Sequence, residues 1–328
     1  MGLSISIIIC TRNRADSLQS TLEAIGNLHV PKGWTAEIIV VDNYSTDRTP
    51  AVVHEARLSN MTVRRISEPR IGVSFARNTG VAAAQGEVIL FTDDDVRPTQ
   101  GWLEKIGTPL LERKSDAVVA TIRLADNLQR PWMKPVHKVW LAVPEVNDDT
   151  ELELTGASMG FHTSVLKRVP AFDQELGGGA MGFGEDSLFT WQLREAGYRL
   201  QRVPDALSLH HLETSRLVRS EWLAAARKRG QSTAYLFHHW QHGELKNPRA
   251  RAFYYTAKLY LRRILQPPVP MDSEGCAPWE MSYVHTIEMC RQYLKERWQP
   301  RNYSKHGLVR LEKQSPTKLG GVESQSRL

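Results

Sequence analysis

Val88-Ile89-Leu90-Phe91-Thr92-Asp93-Asp94-Asp95 sets a short apolar run directly ahead of three carboxylates. Five such residues without helical spacing predict a strand. Three adjacent carboxylates repel one another unless something positive neutralises them. At the C-terminal end of a strand they suit a hard divalent cation that also holds phosphate oxygens. An all-oxygen donor set favours Mg²⁺ or Mn²⁺. The plain alternative is a solvated acidic turn.

The same grammar repeats on either side. Residues 4–10, 37–41, 63–66 and 117–121 are strand-like runs followed by turn residues. Between them, Leu18, Leu22, Ile25 and Leu28 share a helical face, and Thr49 before Pro50 reads as an N-cap with a first-turn proline. A third helix is predicted over 73–85, stopping at Gly86, and a fourth over 102–113. Repeated β-α units predict an α/β domain with a parallel sheet and helices on both faces. Ligands bind such sheets beyond the carboxyl ends of the strands. Residues 122–153, with Pro131, Pro135 and Pro144, read as a loop, and order returns at 154–169 before a glycine-rich stretch and a helix over 186–196. After Leu212 the chain reads as helical and basic. There, 249–265 places Ala250, Tyr254, Ala257, Leu261 and Ile264 on one face, with Arg251, Lys258 and Arg262 on its flank. From Arg301 the pattern fades, predicting a flexible tail. The expected organisation is therefore a strand-rich α/β domain over 1–212, a basic helical extension over 213–300 and a tail over 301–328.

Composition narrows the classes. With 328 residues, 41% hydrophobic and 8% aromatic, the chain has the means to build a large core, which excludes extensive disorder. No apolar run approaches the roughly 20 residues of a membrane span. The 4–10 stretch is too short for a signal-peptide core and runs into Arg12 and Arg14. Met1-Gly2 with Ser6 fits an N-myristoylation pattern, but the same residues are needed for the first strand. Cys10, Cys276 and Cys290 are odd in number and lack metal spacing, so a reducing, cytoplasmic location is expected. Charge is uneven. Residues 1–211 carry 22 Lys+Arg against 26 Asp+Glu, and 212–328 carry 20 against 10. Within 213–265 the ratio is 11 to 3, interleaved with Trp222, Phe253, Tyr254, Tyr255 and Tyr260, which predicts peripheral association with an anionic membrane. The competing reading is that these helices only cap the catalytic domain. No motif that reads DNA or RNA is present, so nucleic acid is not an expected partner.

Further candidates for chemistry line up along the chain. Val40-Val41-Asp42-Asn43 ends another strand, where a carboxylate can accept from a base N–H or a ribose hydroxyl, although Asp and Asn also favour turns. Thr11 and Arg12 end the first strand on the same edge, and Arg77 near a helix start offers a guanidinium to a base or diphosphate. Gly184-Glu185-Asp186-Ser187 opens a helix, where acidic residues also favour the dipole. His210-His211 follows a strand-like 206–209.

Taken in order, these stretches resemble the family 2 glycosyltransferases over about residues 4–212. The GT-A fold of that family implies a catalytic domain over 1–212 with a mixed, mostly parallel sheet flanked by helices. It implies a nucleotide-sugar and metal half over 1–121 and an acceptor and base half over 154–212. The matching segments are Ser6 through Arg14, Val40 through Asp47, Gly72 with Ala76-Arg77-Asn78-Thr79-Gly80, and Phe91 through Asp95. They continue with Thr155-Gly156-Ala157-Ser158-Met159, Phe172-Asp173, Gly184-Glu185-Asp186 and His210-His211. The resemblance implies an inverting transfer of a sugar from a nucleotide donor, a UDP-sugar by preference, to an acceptor hydroxyl on a carbohydrate or lipid-linked glycan. It implies that Thr11, Arg12, Asp42, Arg77, Asp93 and Asp94 serve the donor, with Asp93 and Asp95 as the DxD pair at ribose and metal. Asp186 would be the base, and Glu185 and Gly156 would stand on the acceptor side. His210 or His211 would complete the metal site. The Gln-x-x-Arg-Trp motif of processive synthases does not follow the Glu-Asp pair, which points to single-sugar addition. Asn43 stands where the usual nucleotide motif has a second aspartate. Two rival readings are a non-catalytic nucleotide-sugar binder and a nicotinamide oxidoreductase. The oxidoreductase is suggested by Gly177-x-Gly179-x-x-Gly182, which lacks the preceding strand that such a fingerprint requires and reads instead as a mobile acceptor-site loop.

Overall fold

The computed structural model of the protein describes residues 3–144 and 151–311. Its centre is β1 (Leu3–Thr11), buried from Ile5 to Ile9 between two parallel neighbours, β2 (Trp34–Asp42) and β4 (Val88–Asp93). The pleat divides its isoleucines between two cores. Ile5, Ile7 and Ile9 pack with Leu18, Leu22 and Ile25 of α1 (Ala15–Gly26) and with Trp102 and Ile106 of α4 (Trp102–Leu111). Ile8 packs on the other face with Ala76 of α3 (Val73–Ala83), Phe91 and Phe161. β3 (Thr62–Ser67), entered from α2 (Thr49–Glu55), lies parallel to β2 at that end of the sheet. The apolar runs of the sequence are these strands, each slightly longer than the run itself.

Past β4 the sheet reverses. The remaining strands are β5 (Val96–Pro98), β6 (Ala117–Leu124), β7 (Ser158–His162) and β8 (Leu200–His210), and the order across the sheet is β3-β2-β1-β4-β7-β6-β8-β5. β7 runs antiparallel to both β4 and β6, β8 parallel to β6, and β5 antiparallel to β8. The reversal has a geometric cause. Ser158 pairs with Thr92, so the chain enters β7 at the C-terminal edge of β4 and has only one direction left to run. The stretch read as loop contains a short helix, α5 (Pro135–Trp140), started by proline in its first turn. Helix α6 (Glu185–Glu195) precedes β8.

Three helices follow β8, namely α7 (Arg219–His239), α8 (Pro248–Leu265) and α9 (Pro278–Glu296). Trp222, Leu223, Met281 and Ile287 from α7 and α9 share one apolar cluster with Ile122, Leu124 and Ala157, so the extension is built into the sheet's own core. Among the described residues no helix is long and apolar enough to cross a membrane.

The flexible tail expected from Arg301 does not begin there. Tyr303 is buried, and its hydroxyl donates to Asp173 Oδ2 at 2.7 Å. The Tyr235 hydroxyl of α7 donates to the same oxygen at 2.6 Å, and Arg310 reaches Oδ1 at 3.1 Å. Polar composition misled here because these polar groups are the partners of one fully buried carboxylate. Residues 312–328 of the expected tail lie outside the described residues. Asp173→Ala strands three donors around an apolar side chain. It should lower unfolding free energy by about 3 kcal/mol or more in urea titration. A loss under about 1 kcal/mol would mean that the node carries little of the fold.

Candidate active site

Strand register assembles the site. Thr11 lies opposite Asp42 across β1 and β2, and Cys10 lies opposite Asp93 across β1 and β4, so three strands end side by side. A cleft of about 2040 Å³ opens over this edge, lined by Thr11, Arg77, Asp93, Asp95, Asp186 and His210 among others. Residues more than a hundred positions apart thus face one space.

The carboxylate triplet is balanced by arginines, one residue at a time. Asp94 and Asp95 are buried, and Arg14, in the turn after β1, forks between them with Nη1 and Nη2 each at 2.7 Å. Thr11 Oγ1 donates to Asp94 Oδ2 at 2.7 Å, while Ser17 and Thr21 of α1 hold the Asp94 carbonyl. Burial still pushes the Asp94 carboxyl up to about 7, against the pull of Arg14. Burial acts on Asp95 too, but His210 and Arg14 outweigh it and hold that carboxyl well below the usual range. Arg216 stands 3.5 Å from Asp95. Asp93 opens on the cleft with no hydrogen-bond donor on its carboxylate among the described residues, and burial raises its pKa in spite of Arg77.

The two histidines separate cleanly. β5, directly after the triplet, pairs Val96 with His210 of β8, and the His211 N–H donates to the Asp95 carbonyl at 2.7 Å. This ladder carries His210 to Asp95. His210 Nδ1 lies 2.9 Å from the Leu141 carbonyl, which can only accept, so Nδ1 bears the proton. His210 Nε2 then faces Asp95 Oδ1 at 3.3 Å, longer than a charge-assisted hydrogen bond. Protonated, that nitrogen is a donor to Asp95; deprotonated, it and Oδ1 are two ligand atoms set side by side for a cation. His211 does not line the cleft.

Arg77 and Glu185 spend their charges on each other. Both are buried and their side chains meet at 2.6 Å. The guanidinium packs against the edge-to-face pair Phe91 and Phe172, with its carbon 5.9 and 5.6 Å from their centroids. It also crosses Gly156, where a Cβ would sit 1.8 Å from Nη2. Burial and the neighbouring Asp186 raise the Glu185 carboxyl to about 7, with Arg77 opposing them. Arg77 lines the cleft with Glu185 as its counterion. Asp186, next in the first turn of α6, turns into the cleft. It accepts from the Gly156 N–H at 3.3 Å and the Ser187 N–H at 2.9 Å.

Asp42 is buried, accepts from the Ser45 N–H at 3.0 Å and pairs with Arg65 at 2.7 and 2.9 Å. Asn43 and Arg12, rather than Asp42, line the cleft. Asn43 staples Gly72 and the carbonyls of Glu68 and Arg70 to the edge. The glycine-rich stretch 177–184 is preceded by no strand and is closed by its own hydrogen bonds, with Gly182 N–H to Gly177 O at 2.8 Å. It seats on the start of α3, where Val73 donates to Gly178 O at 2.7 Å, so it forms a knit wall rather than a dinucleotide loop.

Arg14, Arg216 and Arg229 were not singled out from sequence. The need of three carboxylates for a counterion could have found Arg14. Arg216 and Arg229 come from the extension and carry no local signal. Arg229 of α7 lines the cleft with its guanidinium carbon 4.0 Å from the Phe183 centroid and 5.0 Å from that of Trp140. Burial lowers its pKa to about 10, although Asp186 and Glu185 pull the other way.

Comparison with known proteins agrees with this geometry. Over 241 residues the chain is 27% identical to the pre-mycofactocin glycosyltransferase of Mycobacterium tuberculosis, covering 71% of this chain and 47% of that one. It is 34% identical over 103 residues to the glycosyltransferase AglE of Haloferax volcanii, covering 31% of this chain and 33% of that one. The chain thus spans half or less of the curated relatives that it matches most strongly. Among solved structures it is similar to a mannosyltransferase of Pyrobaculum calidifontis in complex with GDP-Man and Mn²⁺. The TM-score is 0.57 at 19% identity, covering 88% and 86% of the two chains. It is also similar to TarS of S. aureus in complex with UDP, with TM-score 0.50 at 18% identity, covering 87% and 90%. These likenesses show the GT-A fold. The family model for glycosyl transferase family 2 matches residues 6–171, half of the chain, and the protein belongs to that family.

Proposed function

We propose that the protein transfers one sugar from a nucleoside-diphosphate donor, by preference a UDP-sugar, to an acceptor hydroxyl with inversion at the anomeric carbon. The observation that carries this reading is the convergence of Asp93, Asp95 and His210 with Asp186 on one cleft from separate elements. Among the solved relatives, one is complexed with GDP-Man and Mn²⁺ and another with UDP, which supports a nucleotide-sugar donor and leaves its base open.

Asp95 and His210 would hold a divalent cation, Mn²⁺ or Mg²⁺. Among the described residues no three His, Cys, Asp or Glu side chains converge on a metal by themselves. That fits a cation of the kind held by one or two protein ligands and completed by substrate phosphate. Bound there, it would neutralise the charge that develops on the diphosphate leaving group. Asp93, with its open carboxylate, would take the ribose hydroxyls, and Thr11 and Arg12 would border the nucleotide. Asp42 would stand behind them, fixing the turn.

Asp186 would act as the base. The acceptor oxygen forms a bond to the anomeric carbon as the bond to the diphosphate oxygen breaks, and its proton passes to the Asp186 carboxylate. The electrons of the broken bond leave with the nucleoside diphosphate. Arg77, Glu185 and Gly156 would position this base: the buried ion pair sets the first turn of α6, and the Gly156 N–H orients the carboxylate. The acceptor is proposed to be a carbohydrate, free or lipid-linked, met in the cytoplasm or at the cytoplasmic face of a membrane.

Two experiments test this. In a nucleotide-sugar panel read by thermal shift with Mn²⁺, a true donor at 100 times its Kd should add about 2.7 kcal/mol of stability. EDTA and His210→Ala should both abolish the Mn²⁺-dependent part, whereas His211→Ala should keep it. A His210→Ala protein that responds to Mn²⁺ as wild type does would remove His210 from the site. Asp186→Asn keeps the shape but cannot take the proton. Donor binding should persist while nucleoside diphosphate release in the presence of acceptor falls at least about a hundredfold. Normal turnover by Asp186→Asn would refute the base assignment, and a complete lack of release by wild type with any donor and acceptor would favour a non-catalytic binder.

A further inference from the structure

Helix α8 turns its apolar side outward. Its 18 residues carry five Lys or Arg and no Asp or Glu. Leu259 is buried against the rest of the protein, and Tyr255 packs on Tyr283 of α9. On the opposite side, Phe253, Tyr254, Tyr260, Leu261, Ile264 and Leu265 face solvent. Phe253 is 77% exposed, Ile264 75% and Leu265 71%, values typical of a polar surface position and not of phenylalanine, isoleucine and leucine. At about 100° per residue these six form one continuous stripe. The apolar surface continues beyond the helix end at Val269 and Met271.

The basic residues sit along the edges of this stripe. Arg251 and Lys258 are exposed on one flank, and Arg249 on the other. The last turn of α8 is tied down. Arg263 pairs with the fully buried Glu280 of α9, and Arg262 donates to the Tyr283 hydroxyl at 3.2 Å. A helix held so firmly by its inner face, with its outer face apolar, is a finished surface rather than an unpacked one.

This face serves neither the cleft nor the core, since none of the six stripe residues lines the one or belongs to the other. A second copy of the chain is a poor occupant, because pairing would bring together the three flanking cations of each helix, Arg249, Arg251 and Lys258, with no carboxylate on either α8. A protein partner would have to supply a large acidic rim around an apolar centre. An anionic bilayer supplies both at once, with headgroup charge at the depth of the flanking cations and acyl chain below the stripe. The paired tyrosines with phenylalanine suit the interfacial zone, where amphipathic rings settle.

We propose that the outer face of α8 lies in the interfacial plane of a membrane rich in anionic lipid, with Phe253, Ile264 and Leu265 inserted and Arg249, Arg251 and Lys258 at the headgroups. This sharpens the wider region 213–265, since Trp222 of α7 is buried and unavailable. It rests on the peripheral location proposed above and is independent of the transfer chemistry, which donor thermal shift reads separately.

The test is cosedimentation of the full chain with sucrose-loaded vesicles of phosphatidylcholine, alone or mixed with phosphatidylglycerol. Binding is expected to the anionic vesicles and not to the neutral ones, with release at high salt. The exposed pair Phe253→Ser and Ile264→Ser should abolish it, and Arg251→Glu with Lys258→Glu should weaken partitioning at least about tenfold. Both double variants should keep wild-type melting temperature and donor response. Three results would each overturn the proposal: no binding to either vesicle, equal binding to both, or unchanged binding by both double variants. So would a concentration-dependent dimer in sedimentation velocity that the serine variant dissolves, since a second copy would then hold the face.

Discussion

Three consecutive carboxylates at the end of a buried strand are the constraint around which this protein is arranged. Ionised groups cannot enter a low-dielectric edge without compensation, and here Asp94 and Asp95 are each given a different one. Asp94 has a hydroxyl and one arm of Arg14, and Asp95 has the other arm with His210 and Arg216. Asp93 keeps its carboxylate free on the cleft. The gradation matters chemically. A triplet satisfied throughout would have nothing to offer a ligand, and one satisfied nowhere would not fold. The arginines also come from both halves of the chain, so the site is complete only when the helices after β8 have docked.

The second tier is the ion pair of Arg77 and Glu185. Removing either partner would strand a buried charge, a cost of several kcal/mol. The pair joins α3, packed beside β1 and β2, to the first turn of α6, more than a hundred residues on. Gly156 must lack a side chain for the guanidinium to cross it. Three residues named separately from the sequence thus pack as one strut along the cleft, and the Gly156 N–H in it donates to Asp186.

Much of this was legible beforehand, and the reasons are local. Apolar runs reveal β1, β2 and β4 because those strands are covered on both faces, whereas β3, at the sheet's end with no buried residue, shows only as a short run between turns. The acidic triplet and Glu185-Asp186 are legible because buried charge is expensive and therefore conspicuous. What escaped was set by distance. β5 is three residues long, too short for a pattern, yet it alone decides which histidine meets Asp95. The direction of β7 depends on which edge the chain enters, and no residue in β7 encodes that. Arg216 and Arg229 look like any solvated cations of a basic helix. The 301–311 stretch read as tail because hydrogen-bonding to a buried carboxylate and dissolving in water call for the same side chains.

The Asp173 node bears on how this protein can be divided. Chain position invites cuts after 212 or after 300, at the ends of the strand-rich part and of the last helix. A fragment ending at either point leaves Asp173 facing the hole where Tyr303 and Arg310 belonged, and the earlier cut also takes Tyr235. A shortened form that keeps the cleft intact has to run through Leu311. By the same logic, swapping the helical part between relatives transplants a piece of the catalytic domain's interior along with it. Modularity here is a property of the sequence pattern and not of the folded object.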